Sequence, residues 1–413
     1  MVENFEAKLR EYARLLVEVG LNLQPGQTPR ANAALDAAPL VRLCVEACYD
    51  RGARDILVDW SDDEVTRQKY LRADEAVFSE YPSYSKAKMD WLFEKKSPSL
   101  SFSGGDPELF KGVDPARLQN WQRAASGPTR PYFEAMTANK FQWCVGSYPT
   151  KAWAEKVFPD KRGGEAIDAL WDAIFAVCRV TGDGRAVERW KEHVAATVKR
   201  AKALNEYQFR SLRYTNSLGT DLTIRLPDNH VWAGGGDFTP EGTEFVANIP
   251  TEEIFTAPRR DGVEGRVYAS MPLALNGNLV KDFYLDFKDG RIVGIHAGEG
   301  EEYLRRAIEL DEGSHYLGEV ALVPYDSPIR NTGLLFYNTL FDENASCHLA
   351  FGEAYPSCVK GGEDMSKEEQ KAAGLNRSIT HVDFMVGTAD LSIVGTTQDG
   401  REIPVFTDGN FAF

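Results

Sequence analysis

The first half of the chain alternates between stretches with helical spacing of apolar residues and short apolar runs. Apolar side chains recur at helical spacing over residues 5–16, and Gly20 is a residue type that commonly ends a helix. A second helical stretch, residues 37–50, ends at Arg51-Gly52 and leads into the apolar run 55–60, which we predict to be a buried strand. A helix that passes through a tight turn into a strand is typical of a parallel α/β layer. The same patterns predict further helices over residues 65–71, 86–95, 115–125, 150–157 and 185–204, and strands over 99–103 and 141–146.

After about Tyr207 the pattern changes to short runs of alternating apolar and polar residues, which predict strands. Asp289-Gly290 lies between two such runs and is the sequence signal of a β-hairpin, and Asn276-Gly277 is a second turn signal. We therefore predict an α/β protein in the mixed α+β sense, with an α/β domain over residues 1–205 and a β-rich domain over residues 206–413. The runs cover residues 210–214, 221–225, 244–248, 265–269, 282–288 and 292–297.

Composition restricts the classes of function. With 43% hydrophobic and 26% charged residues, the 413-residue chain has the composition of a globular protein. Its formal net charge of −15 would repel a phosphate backbone, so no nucleic-acid partner is expected. No apolar run approaches the roughly 18 residues that a membrane span needs, and no signal peptide is recognisable. Cys44 and Cys48 share the face of a predicted helix, which fits buried thiols in a reduced, cytoplasmic protein.

The strongest chemical signal is a set of histidines and acidic residues in the second half. His381 and Asp383 are separated by one residue, so on a strand both side chains point to the same face. Imidazole and carboxylate are good ligands for zinc, manganese or cobalt. A histidine that is simply hydrogen-bonded to an acid is the alternative explanation. The apolar neighbours of Asp383 favour a metal ligand, because a buried acid needs a partner.

Buried acids are also indicated in two other segments. Glu319 is the one carboxylate in the apolar run 317–323, so either a basic side chain or a cation must lie beside it. The same argument applies to Glu253, which follows the run Phe245–Ile249 and precedes Ile254-Phe255. Its neighbour Glu252 should point the other way in an extended chain.

Glu343 and His348 complete the set. They are five residues apart and would converge if the chain turns into a helix near Ala345; a capping glutamate and a core histidine are the alternative. Together the segments supply two histidines and four acids, a ligand set that suits two cations sharing a carboxylate. His193 lies on a charged predicted helix, and we expect it to face solvent.

In these segments the chain resembles the thermophilic metalloaminopeptidase family, which includes aminopeptidases T and S. Several motifs in a fixed order are a specific signal, and the matching length extends the resemblance over the whole chain. The motifs are residues 248–258, 317–323, 344–355 and 381–387.

The resemblance implies an aminopeptidase with two divalent ions (Zn²⁺, Co²⁺ or Mn²⁺) that acts on peptides with a free N-terminus, and it implies a homodimer. Tyr355 matches a family tyrosine near the metals and is a candidate donor to the tetrahedral oxyanion, although a packing role is the alternative. A bridging water would attack a polarised carbonyl, and Glu252 is a candidate carrier of the proton to the leaving amine. The ligands at matching positions are Glu253, Glu319, Glu343, His348, His381 and Asp383, with Glu319 as the bridge.

Two other functions remain open at this point. The same ligands could serve a dinuclear phosphoesterase, in which Arg259, Arg260 and Arg330 would bind the phosphate. A metal-stabilised binding protein without catalytic activity would instead have sites that are closed to exchangeable water. A nucleotide-binding first half is not favoured, because it contains no glycine-rich phosphate-binding motif.

Overall fold

The computed structural model describes residues 2–106, 108–275 and 278–413, so the predicted Asn276-Gly277 turn lies outside the described residues. The helices are α1 Phe5–Leu15, α2 Ala38–Asp50, α3 Asp63–Arg72, α4 Ser83–Glu94, α5 Pro115–Thr137, α6 Lys151–Val157, α7 Gly164–Val177, α8 Ala186–Tyr207, α9 Glu301–Ile308, α10 Pro328–Asn331, α11 Thr339–Asp342 and α12 Lys367–Ala372. The strands are β1 Arg30–Ala34, β2 Leu57–Ser61, β3 Ser99–Ser103, β4 Trp143–Ser147, β5 Ser211–Thr215, β6 Asp221–Arg225, β7 Ala233–Gly234, β8 Asp237–Phe238, β9 Glu244–Phe245, β10 Ile254–Thr256, β11 Val263–Tyr268, β12 Leu273–Leu275, β13 Asn278–Lys288, β14 Arg291–Glu299, β15 Leu317–Leu322, β16 His348–Gly352, β17 His381–Met385, β18 Ser392–Thr396, β19 Glu402–Thr407 and β20 Asn410–Phe411.

The chain divides into two compact units, and it passes from the first to the second within α8. The first unit contains Met1–Glu192 and Gly236–Pro250, and the second contains His193–Gly235 and Thr251–Phe413. The predicted boundary after residue 205 separates two domains that would fold independently, and a division into compact units does not test independent folding. It therefore stays a prediction.

A parallel sheet of four strands, in the order β2-β1-β3-β4, organises the first unit, and helices connect its strands. Helix α5 continues past its predicted end at residue 125 and through Pro128 and Pro131. Tyr132 is buried just beyond these prolines, and its ring lies 5.1 Å from that of Phe141. This burial keeps the second half of the helix in place despite the hydrogen bonds that the prolines remove.

Two antiparallel sheets organise the second unit. One has the order β17-β16-β15-β10-β7, and the other has the order β12-β13-β11-β6-β5-β18-β19-β20 with β14 beside β13. Their facing apolar side chains share one core, in which the rings of Phe283 and Phe384 lie 5.8 Å apart. The hairpin at Asp289-Gly290 is confirmed, because β13 and β14 pair across it and both residues have positive φ. The predicted mixed fold, with its α/β first half and β-rich second half, is confirmed.

The cysteines occupy the interior. All six are free and buried, as predicted for Cys44 and Cys48 on α2. Burial raises the pKa of the Cys48 thiol to about 12, so this thiol stays protonated at neutral pH. Across the described ranges, no helix combines the length and the apolar character that crossing a membrane would require.

Candidate metal centre

One face of the five-stranded sheet carries Glu319, His348, His381 and Asp383, and the other face packs into the core. Residues directly opposite each other on antiparallel strands point to the same face. Glu319 on β15 is opposite Ala350 on β16, which in turn is opposite Asp383 on β17. His348 and His381 lie two residues from Ala350 and Asp383 on their own strands, so they share this face. The residues that alternate with these on the three strands, such as Val320, Leu349 and Phe384, point to the opposite face and belong to the apolar core.

A β-bulge at Gly318 determines the face to which Glu319 points. Leu317 is opposite Phe351 and faces the core, so Glu319 in a regular strand would face the core as well. The register shifts between Leu317 and Glu319, and the extra residue turns the carboxylate to the opposite face. A Cβ at position 318 would lie 2.2 Å from the carbonyl oxygen of Glu353, so only glycine fits without a shift of the backbone.

We expect Gly318→Ala to lower metal content and activity together. The added methyl group must push the bulge away from the neighbouring carbonyl oxygen, which should cost about 1–3 kcal/mol of the free energy of unfolding and displace Glu319. The matched control is Gly164→Ala at the start of α7, where a Cβ meets no atom within 4 Å. Thermal unfolding and elemental analysis of both variants measure the effects. Full metal content in Gly318→Ala would mean that the bulge does not position the carboxylate.

The ligand atoms form two groups that share Glu319. In the first group, His348 Nε2 lies 3.3 Å from Glu253 Oε2 and 4.0 Å from Glu319 Oε1. In the second, His381 Nε2 lies 3.0 Å from Glu319 Oε2 and 3.2 Å from Asp383 Oδ1. Within each group the three ligand atoms all lie within 4.8 Å of one another, a spacing at which they could hold a metal ion.

Both imidazoles are oriented by hydrogen bonds from their second nitrogen. His348 Nδ1 donates to the carbonyl oxygen of Ser346 at 3.1 Å, and His381 Nδ1 donates to that of Glu353 at 2.8 Å. Each Nε2 atom therefore points towards the carboxylates with its lone pair available when the ring is neutral. Metal-binding histidines in proteins are commonly oriented in this way.

Burial and mutual repulsion determine the protonation of the group. Burial, together with the charges of Asp383 and Glu253, raises the pKa of Glu319. Burial lowers the pKa of both histidines, but hydrogen bonds to the carboxylates outweigh it and raise the pKa of His348 to about 10 and that of His381 to about 11. Without metal, the imidazoles therefore take up protons that partly neutralise the acids. A cation would replace these protons.

Glu343 lies beside the two groups rather than within either of them. It begins a short turn, Glu343–Ala345, which precedes β16 and brings the carboxylate towards His348. Burial, followed by repulsion from Glu253 and Asp383, raises its pKa well above the ordinary value. In the described part of the chain, no lysine or arginine forms an ion pair with any of the four acids.

Comparison with known proteins identifies the family. The family model described as thermophilic metalloprotease (M29) matches residues 5–411. The chain belongs to this family. Aminopeptidase AmpS of Bacillus subtilis (strain 168) is 47% identical over 412 residues, which is 100% of each chain. Aminopeptidase 2 of Geobacillus stearothermophilus is 45% identical, over 100% of this chain and 99% of the relative. The structure of wild-type AmpT from Thermus thermophilus matches with a TM-score of 0.92 and 38% identity, covering 99% of this chain and 100% of that one.

The predicted resemblance to the metalloaminopeptidases is thus confirmed over the whole chain. Membership of the M29 family also supports the predicted enzyme class, a metalloprotease of the aminopeptidase type, and implies that divalent metal is required. The two candidate ligand groups at the five-stranded sheet offer donors suitable for divalent metal ions. Imidazole nitrogen and carboxylate oxygen are typical ligands of such ions.

Glu252 has different neighbours from the two candidate ligand groups. Its carboxylate lies 3.7 Å from His193 Nε2, and its backbone N–H donates to Asn344 Oδ1 at 2.8 Å. The side chain of His193 is only 12% exposed, so the expectation that it faces solvent was wrong. The prediction failed because the charged residues of α8 do not indicate that His193 contacts Glu252, a buried acid from a distant segment. Asn344, which the sequence analysis placed in a motif without assigning it a role, holds the backbone beside Glu253 in place. The catalytic role of Glu252 stays a prediction.

Tyr355 lies next to the candidate ligand groups. Its ring centre is 5.3 Å from that of His381 and 5.9 Å from that of Phe255. Although 45% of the residue is exposed, burial of the hydroxyl group, followed by repulsion from Glu319 and its neighbouring carboxylates, raises its pKa. The phenol therefore remains protonated at neutral pH and is able to donate a hydrogen bond.

The arginines that a phosphoesterase would require have other partners. Arg259 donates to Asp261 at 2.6 Å, and Arg260 donates to Asn376 at 3.1 Å. Arg330 donates to a tyrosine hydroxyl at 3.3 Å. These contacts disfavour the phosphoesterase alternative, and a substrate comparison is needed to decide between the two activities.

Proposed function

We propose that the protein is an aminopeptidase whose active site holds two divalent metal ions bridged by Glu319. The observation that carries the proposal is that the two ligand groups share this one carboxylate. Two ions that share a bridging carboxylate are a common arrangement in hydrolytic enzymes. The names of the relatives, which are aminopeptidases, support a peptide substrate with a free N-terminus.

The charge of the site supports two ions rather than one. Glu253, Glu319, Glu343 and Asp383 would carry four negative charges when ionised, and two divalent ions carry four positive charges. Buried carboxylates without compensation are costly, and in the described residues the histidines alone form ion pairs with them. With both ions present, the two imidazoles would be neutral ligands.

The mechanism assigns separate tasks to the protein side chains. Bound ions would supply Lewis acidity, which acidifies a bridging water and polarises the scissile carbonyl. Tyr355 would donate a hydrogen bond to the oxygen that becomes negative in the tetrahedral transition state. Glu252 is our candidate to deliver a proton to the leaving amine. The formal net charge of −15 favours a substrate with a positive α-amino group. We also propose zinc, cobalt or manganese as the metal, a cytoplasmic location, as the free cysteines suggest, and a homodimer, as the resemblance implies.

The choice between peptidase and phosphatase can be tested with three substrates. We expect metal-stripped protein to be inactive, and protein reloaded with Zn²⁺, Co²⁺ or Mn²⁺ to hydrolyse leucine p-nitroanilide. N-acetyl-leucine p-nitroanilide is the matched control, because it differs only in lacking the free amine and should resist hydrolysis. Faster turnover of p-nitrophenyl phosphate than of the anilide would refute the proposal, and so would equal turnover of the acetylated substrate.

A further inference from the structure

Strand β17 lies at the end of its sheet and pairs with β16 along one edge. The carbonyl of Thr380 accepts from the N–H of Glu353 at 2.7 Å, and the N–H of Val386 donates to the carbonyl of Cys347 at 2.8 Å. Main-chain groups of successive strand residues point to opposite edges. Even-numbered residues of β17 therefore direct their groups towards β16, and odd-numbered residues direct theirs to the other edge.

This other edge is covered at one end and open at the other. Within the described chain, the backbone hydrogen bond that reaches it runs from the N–H of Ser270 to the carbonyl of Met385, at 2.8 Å. At the opposite end, Ile379 is 78% exposed. Between the two ends, the N–H of Asp383 interacts with its own carboxylate. Among the described residues, no backbone group pairs at this edge with the N–H of His381 or with the carbonyls of His381 and Asp383, so these groups are available to a further strand.

A groove of about 760 Å³ extends along this edge. It is lined on one side by β17, including His381 and Asp383, and on the other by residues such as Leu273 of β12 and Ala307 of α9. The groove is therefore continuous with the candidate metal centre, because the same two residues belong to both. Its volume falls within the range of about 300–1,000 Å³ that is typical of small-molecule sites.

We propose that the substrate peptide binds in this groove as an additional strand beside β17, with its N-terminus towards the Met385 end. This inference rests on the proposed function and specifies how the same site holds its substrate. Hydrogen bonds to His381 and Asp383 would bind the main chain whatever its side chains, as in other proteins that add a peptide strand to a sheet edge. The bond between Ser270 and Met385 closes the edge and stops the peptide there. At the open end near Ile379, the C-terminal part of the substrate peptide can extend out of the groove.

This binding mode predicts that the effect of removing a substrate N–H group on kcat/KM alternates from one peptide residue to the next. In an added strand, alternate residues direct their N–H groups towards β17. The probes are the pentapeptide Leu-Ala-Ala-Ala-Ala and derivatives in which the amide nitrogen of residue 3 or residue 4 is methylated. Residue 2 contributes the scissile amide and is left unchanged. Esters at the same two positions, which remove the N–H without adding a methyl group, separate loss of the hydrogen bond from steric hindrance.

We expect the metal-loaded enzyme to show a fall in kcat/KM of about tenfold or more for one methylated position, and of less than about threefold for the other. The esters should give the same order with smaller effects. Leucine p-nitroanilide, which has no main chain beyond the first residue, reports the chemical step alone. Equal effects at the two positions, or none at either, with normal turnover of the anilide would overturn the added strand and leave the proposed function intact. Failure to hydrolyse the anilide would refute the proposed function and this inference with it.

Discussion

Glu319→Gln is expected to lower kcat/KM for leucine p-nitroanilide by about 10³-fold or more, because an ion in such a site supplies several kcal/mol of transition-state stabilisation. Glutamine keeps the size of the side chain but offers one oxygen, and its amide nitrogen cannot bind a cation. Both ligand groups contain Glu319, so both should lose affinity at once. Elemental analysis after gel filtration should show less than one ion per chain.

Glu402→Gln is the matched control for this variant. Glu402 begins β19 and is exposed, so the same chemical change falls on a strand that carries none of the candidate ligands. We expect it to keep the metal content, the unfolding temperature and the activity of the unmodified protein. A Glu319→Gln variant that retained two ions and full turnover would show that this carboxylate is not a bridge.

Tyr355→Phe is expected to reduce kcat by about 10²-fold to 10³-fold, which is the usual cost of removing one donor to an oxyanion. The hydroxyl group interacts mainly with charge that develops in the transition state, so KM should change little. The phenol is not among the ligand groups, so the metal content should stay constant. Steady-state kinetics and elemental analysis of the same preparation separate these quantities.

Tyr84→Phe provides the control for the loss of a phenol. Tyr84 is 78% exposed on α4, outside every group that we assign to the active site. This variant should have unchanged kcat. If Tyr355→Phe also kept its kcat, Tyr355 would be a packing residue, as the alternative interpretation of its motif held.

The sequence predicts correctly those helices and strands whose local residue pattern matches the burial that the tertiary structure gives them. Strand β3 was predicted over its full range of Ser99–Ser103 because its residues are compatible with a buried strand. Strand β1 was missed, because alanine and asparagine have little strand propensity and its position between β2 and β3 stabilises it instead. Helix α7 was overlooked although its buried face, which includes Leu170 and Trp171, repeats at helical spacing.

Glu253 and Glu319 could be predicted as candidate ligands from the residues alone, because a carboxylate in an apolar segment needs a partner whatever the fold; the full ligand set, which remains a prediction, required the family resemblance. The relative placement of these residues could not be predicted, because it depends on strand register. The bulge at Gly318 is the exception, since a glycine within an apolar strand is a known signal of a bulge. The contact between His193 and Glu252 joins segments far apart in sequence, and neither segment carries a sign of the other.

The central claim is that one carboxylate joins two metal ions, and anomalous diffraction from crystals of the metal-loaded protein tests it most directly. Data collected at the absorption edge of the bound metal should show two peaks about 3.5–4 Å apart, one beside Glu253 and His348 and the other beside His381 and Asp383, with Glu319 between them. A single peak at full metal loading, or two peaks of which one lacks contact with Glu319, would contradict the account.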